Sequence, residues 1–315
     1  MNALMDFLRW WIPWEPSATV VIVFAGAVWL YVRGVRRSPM TAPWHRQAFF
    51  WVGMLMMYVG MHTELDFYAE HEFFIHRIQH LGLHHLAPFL IVLGYPGVTM
   101  RRGLPVRWRA RWLKPALRWA PVRVFLDVLL NPWVAALLFV GLIGLWLTPS
   151  VHFDAMLDWR LYHVMNFSMA VDGLLFWWLI LDHRPRPPAR LAPLMRTFIA
   201  FIVIPPQLIG GAYIALTSTD LYPIYSLCGR AFAGISPLAD QHLGGLIIWI
   251  PSGMMTALGG LIALGHWIRL DSKGRLPRNR RQRALIRARA AARAAAAQSE
   301  ADGPVVLAGS TEKFT

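Results

Sequence analysis

The sequence predicts an all-α protein, a seven-helix transmembrane bundle with its amino terminus outside and its carboxyl terminus in the cytoplasm. Three observations predict it. The 315 residues are 56% hydrophobic although their formal charge is +14. The apolar residues gather into seven runs of about 20, the length a helix needs to cross a hydrocarbon core of roughly 30 Å. The basic residues fill alternate connections between those runs. A soluble domain of this size does not need such runs, and a nucleic-acid-binding protein does not concentrate its apolar residues in this way.

The runs are Ser17 to Val32, Ala48 to His62, Ile78 to Val98, Val128 to Leu147, Leu161 to Leu181, Phe198 to Leu216 and Leu243 to Ile268. The second is short and needs polar flanks at the interface. The connection after the first run holds Arg33, Arg36, Arg37 and Arg46. The stretch from Arg101 to Arg123, the stretch from Arg184 to Arg196 and the tail from Arg269 to Arg293 are also basic, and these four segments hold 26 of the 31 Lys and Arg. Lys and Arg are retained on the cytoplasmic side. The intervening loops carry Glu64, Asp66, Glu70 and Glu72, then Asp154 and Asp158, then Asp220 and Asp240. This alternation fixes the expected orientation, that of a multi-pass protein of a bacterial inner membrane.

The expected organisation is an outer interfacial segment at 1–16, the seven-span bundle at 17–268 and a basic, largely disordered cytoplasmic tail at 269–315. The Trp-rich flank "RWWIPWEPS" and the lack of a positive n-region argue that the first span is retained rather than cleaved. The basic excess is first a topology device. "RRGLPVRWRARWLKPALRWAPVR" interleaves Trp108, Trp112 and Trp119 with Arg, which suits an amphipathic segment on membrane lipid, and the tail reads as a cationic segment on anionic lipid rather than a nucleic-acid site. Cys228 is the single cysteine, so no intrachain disulfide exists.

The chemistry gathers in histidines. His45, His183 and His266 lie toward the cytoplasm, whereas His62, His71, His76, His80, His84, His85, His152, His163 and His242 lie in outer loops or outer helix halves. In "HEFFIHRIQHLGLHH" His76, His80 and His84 recur every four residues, so a regular helix projects them from one side as a ladder descending from the outer face, with His85 pointing away. Neighbours on that ladder can chelate one ion. His62, His163 and His242 are the candidates for completing or relaying a site with His76, His80 and His84, and Met61, Met165 and Met169 stand at similar levels. Imidazole with thioether suits Cu(I); imidazole with carboxylate also serves zinc. Each residue alone has a plainer reading, an interfacial His or a packing Met. Together they favour a joint metal or haem site, because several imidazoles in a low-dielectric bundle need partners.

Asp172, near the middle of the fifth run, must face the bundle interior as a relay group, a ligand or a protonated structural residue. Gln79 and Asp240 are further polar residues of the spans. No Walker loop, nucleophile elbow, HExxH or CxxC occurs.

Three stretches, "HRIQHLGLHHLAPFLIVLGYP" from His76, "GLLFWWLILD" from Gly173 and "DQHLGGLIIWIPSG" from Asp240, resemble the caa3-type CtaG family of cytochrome c oxidase assembly proteins. The resemblance runs from about residue 10 to 268. It rests on His76, Gln79 and His80, on Ala87 with Pro88, and on Asp240 with Gln241. The sequence departs from the family pattern at Asn166, where a histidine is common, and at His242, where a second Gln is usual. If that histidine is a ligand, His163 or His242 has to supply the missing nitrogen.

The resemblance implies a non-enzymatic membrane factor that matures a haem-copper oxidase. Its implied cargo is copper, delivered to the oxidase catalytic subunit directly or through a copper chaperone. Two competing classes are a zinc-dependent membrane lipid hydrolase and a haem-binding membrane electron carrier.

Overall fold

In the computed structural model, which describes residues 10–276 and, beyond them, 282, 284–285, 288–289, 291–293 and 298, the elements are helices and no strand occurs among the described residues. The chain divides into two units, Met1–His266 and Trp267–Thr315. Most of the segment expected as a disordered tail, and residues 1–9 of the expected outer segment, lie outside the described residues.

Helix α1 (Ala18–Arg37) opens on Ser17, whose side chain accepts from the Val20 N–H, and closes on Arg36 and Arg37, which suit the negative end of the helix dipole. Helix α2 (Trp44–His62) stops at Thr63, an extended residue that caps the short helix α3 (Glu64–His71) through the Leu65 N–H. Glu64 and Asp66 stand in the first turn of α3. Glu72 is extended and separates α3 from α4 (Phe73–Leu93).

The start of α4 is held from far away in sequence. The backbone N–H groups of Phe73 and Phe74 both donate to the Asp240 carboxylate, at 2.9 and 2.7 Å. A carboxylate at a helix N-terminus satisfies free donors and meets the positive end of the dipole. Arg230 bridges Asp240 to Glu72, at 2.8 and 2.5 Å, and Glu72 also accepts from the Phe232 N–H at 2.8 Å. Asp240 and Glu72 are fully enclosed.

Inside α4 the residues Leu81–Leu86 form a wide π turn. Pro88 gives its physical reason, since proline offers no N–H to the His84 carbonyl four residues earlier and its ring crowds that oxygen. The wide turn breaks the four-residue repeat. His85, expected to point away from the ladder, is buried beside His84. Gly173 permits this geometry to pack, because a Cβ there would collide with the His84 carbonyl and sit 2.9 Å from the Pro88 ring.

Tyr95, left-handed at φ 48°, turns the chain by 74° into α5 (Pro96–Gly103). Short turns over Val106–Trp108, Arg109–Leu113 and Lys114–Arg118 follow, and Trp108, Trp112 and Trp119 are exposed. Helix α6 (Ala120–Leu129) meets α7 (Pro132–Leu147) at 68°, with Asn131 capping the second helix. The short helix α8 (Pro149–Leu157) leads to α9 (Trp159–Ile180), capped by Asp158. Helix α10 (Pro193–Leu216) is interrupted at Val203, just before Pro205 and Pro206, and α11 (Ile224–Cys228) lies in the following loop.

Helix α12 (Pro237–Ser272) carries Pro251, and the Ser252 hydroxyl donates to the Ile247 carbonyl that the missing N–H leaves open. In the second unit α12 ends in a left-handed Gly274, with Gly274 N–H bonded to Asp271 and Arg275 N–H to Leu270, the paired bonds of a Schellman stop.

Each expected apolar run lies on helix, but with shifted ends. Among the described residues four helices, α1, α9, α10 and α12, are long and apolar enough to cross a membrane, and six spans result if the bent pairs α4–α5 and α6–α7 each count as one. Helix α2 falls short because it begins on His45, Arg46 and Gln47.

Candidate functional site

Three layers of polar side chains line the inner face of α4. The outermost is built on Gln79, whose amide donates to the Gly60 carbonyl of α2 at 2.7 Å and to Asp66 of α3 at 2.6 Å. The Tyr162 hydroxyl of α9 donates to the same Asp66 oxygen at 2.7 Å. Gln79 is therefore a clamp that fixes α4 against α2, α3 and α9. Within the histidine motif Gln79 thus orients its neighbours.

Burial raises the Asp66 carboxyl to about 6, partly offset by the bonds from Tyr162 and Gln79. Burial, with Asp66 and Glu15 as like charges, raises Glu70 to about 8. Both groups take up protons on folding, so their contribution is fully present below their ordinary values of 3.8 and 4.5. It is lost as the pH rises through about 6 and then about 8. The melting midpoint is therefore expected to fall between pH 5 and pH 9, and Glu70→Gln should remove the upper part of that fall. A flat wild-type profile in scanning calorimetry would contradict the half-buried setting of Glu70.

The second layer holds the histidine pair. His76 Nε2 lies 3.0 Å from His80 Nε2 and both rings are buried. The hydrogen-bond partners assign the protons. His76 Nδ1 faces the Ala69 carbonyl at 3.2 Å and must donate, which leaves a lone pair on Nε2 directed at His80. His80 Nε2 also faces the Asn166 carbonyl oxygen at 3.1 Å, so in the metal-free protein it donates, and its Nδ1 has no partner among the described residues.

His152 of α8, counted among the outer histidines but not singled out as a candidate, stands beside the pair, its ring 5.1 Å from that of His76. Its Nδ1 donates to the Trp146 carbonyl and its Nε2 accepts from the Tyr225 hydroxyl at 2.9 Å. Tyr225 also lies 3.1 Å from His76 Nδ1. Tyr225 and His152 thus hold the His76 ring from behind.

The innermost layer begins where the π turn redirects the chain. His84 is not the third rung of one ladder. Its Nε2 pairs with Asp172 of α9 at 3.0 Å, its Nδ1 lies 3.3 Å from His85 Nδ1, and His85 Nε2 lies 3.0 Å from the Gln207 side chain of α10. Asp172 is therefore the partner of a buried imidazole.

The remaining sequence candidates lie elsewhere. His62 is buried with its Nε2 accepting from the Ser17 N–H at 3.2 Å, where it fastens the start of α1. His163 donates to the Trp159 carbonyl one turn earlier, and His242 donates to the Thr217 carbonyl. Asp240 caps α4, and Gln241 bonds Leu221 N–H and the Thr219 carbonyl, so this motif organises the loop before α12. Neither His163 nor His242 takes the place beside His80; Asn166 holds it.

A metal–nitrogen bond of about 2.0–2.1 Å sets two ligand nitrogens about 3.3 Å apart at a tetrahedral angle and about 4 Å apart across a linear ion. The His76–His80 separation of 3.0 Å needs only small ring rotations to reach the first. Binding requires the His80 proton to move to its free Nδ1. Among the described residues no group of three His, Cys, Asp or Glu side chains is placed to hold one ion.

Residues 29–270 match the family described as cytochrome c oxidase caa3 assembly factor. An uncharacterized protein of Mycobacterium leprae is 27% identical over 281 residues, covering 86% of this chain and 41% of that protein. Uncharacterized proteins of Mycobacterium bovis and Mycobacterium tuberculosis are each 30% identical over 215 residues, covering 65% of this chain and 31% of their own length. The chain thus spans less than half the length of these curated relatives. No solved structure matches. The match over most of its length places the chain in the cytochrome c oxidase caa3 assembly factor family.

Proposed function

We propose that this chain is a multi-pass membrane assembly factor for a haem-copper cytochrome oxidase, and that it holds Cu(I) near the outer face for insertion into the oxidase catalytic subunit. The observation that carries the copper reading is the buried His76–His80 pair, with two Nε2 atoms 3.0 Å apart on one helix. Two imidazoles suffice for Cu(I), which accepts low coordination numbers, and the nearby thioether of Met169, which shares a pocket with His80, is a soft third donor. A site with few ligands suits cargo that must leave by stepwise exchange onto a partner. The family supplies the assembly role. The orientation with seven spans and the pair toward the outer face remains that of the basic-loop pattern.

The zinc hydrolase reading has less support. A catalytic zinc needs three protein ligands and an open position for water, and no such triad occurs among the described residues.

Asn166 offers the test of whether copper sits at the pair. Its side-chain oxygen occupies the third position around His80 Nε2, and an imidazole there would add a nitrogen ligand. Asn166→His is expected to tighten Cu(I) binding at least tenfold in competition with a chromophoric chelator, and to slow release. Unchanged affinity would place the copper elsewhere.

A further inference from the structure

Arg77 lies between His76 and Ile78 on α4, and its side chain is almost wholly buried, 4% exposed. Its guanidinium carbon stacks 4.9 Å from the Phe73 ring centroid, and the Tyr225 hydroxyl bonds it. Its Nε and Nη2 have no hydrogen-bond partner among the described residues, and none of the salt bridges found there includes it. The carboxylates Glu72 and Asp240 are taken by Arg230 and the α4 backbone. Among the described residues this permanent cation therefore has no carboxylate paired with it.

Nε and Nη2 form the side-on edge of the guanidinium, the two parallel donors that match the two oxygens of a carboxylate. Arg77 lines a pocket with His80, His85, Trp146, Met169 and Ser252. The pocket is small and its walls are mainly apolar, which disfavours a multiply charged, strongly hydrated anion. The charge, the free fork and the small, mainly apolar space agree on one class of ligand.

We infer that Arg77 binds a small monocarboxylate, of the size of formate or acetate, through its Nε and Nη2 donors. Resting on the copper reading above, the same anion would act as counter-ion for a cation held by His76 and His80 one turn apart on the same helix. Without it, Arg77 and a bound metal ion would repel each other at short range.

The test uses copper-free protein purified in a neutral detergent, so that its failure leaves the copper reading untouched. Formate or acetate is titrated against chloride at constant ionic strength, with the melting midpoint as one readout and line broadening of ¹³C-formate as a second that does not depend on unfolding. Wild type should show saturable stabilisation and broadening with carboxylate and not with chloride. Arg77→Lys keeps the charge but loses the fork and should weaken binding at least tenfold. Arg77→Met should abolish it and, by removing an uncompensated buried charge, should melt no lower than anion-free wild type. Wild type indifferent to carboxylate, or an Arg77→Met variant that broadens formate equally, would overturn the assignment and leave Arg77 a hydrated structural cation.

Discussion

Replacing His76 and His80 together with alanine is expected to bring the Cu(I) retained by the purified protein down to background. Alanine is the strongest helix former, and both positions lie inside α4 before its π turn, so the helix should persist. The neighbouring substitutions separate ligation from packing. His163→Ala and His242→Ala should leave copper unchanged, since those rings bond backbone carbonyls away from the pair. His84→Ala should lower stability, because it leaves the Asp172 carboxyl buried without its imidazole partner, yet it should spare the copper. Elemental analysis of the purified variants, with a melting curve for each, checks the series. Copper lost equally from His163→Ala would contradict it.

Asp240→Ala should be the most destabilising single change at the start of α4. It removes the acceptor for two N–H groups at the start of α4, that of Phe73 buried and that of Phe74 half-buried, and one of the two carboxylates facing Arg230. Removing one partner from a buried charged network costs about 3–5 kcal/mol. The change also frees the end of the helix that carries His76 and His80, so copper occupancy should fall with stability. Asp240→Asn keeps an acceptor and should lose less. Asp154→Ala, at an exposed position, should change little. Denaturant titration in detergent micelles measures the differences; an Asp240→Ala variant as stable as wild type would remove the cap from the account.

The helical class and the approximate place of each apolar run were legible because hydropathy alone dictates them. Helix ends were less so. Asn131 with Pro132 and the left-handed Tyr95 set bends that an apolar count passes over. The pairing of His76 with His80 was legible from the four-residue spacing, but that rule assumes a regular helix. Pro88, visible in the sequence, marked where the rule would fail, and with it the descent to His84.

Contacts between distant segments were not legible from spacing. His152 approaches the pair from the short helix α8, and Asn166 approaches it from α9. The Asp-Gln motif at Asp240 proved architectural, with its carboxylate at the end of another helix. Arg77, flanked by histidines in the sequence, reads as one more outer basic residue until its burial is seen.

The most direct measurement of the central claim is copper K-edge X-ray absorption on the Cu(I)-loaded protein, compared with the His76→Ala, His80→Ala variant. The account predicts a low-coordinate Cu(I) spectrum with imidazole nitrogens at about 2.0 Å, present in wild type and absent from the variant. The same spectrum and the same copper content in both proteins would contradict it.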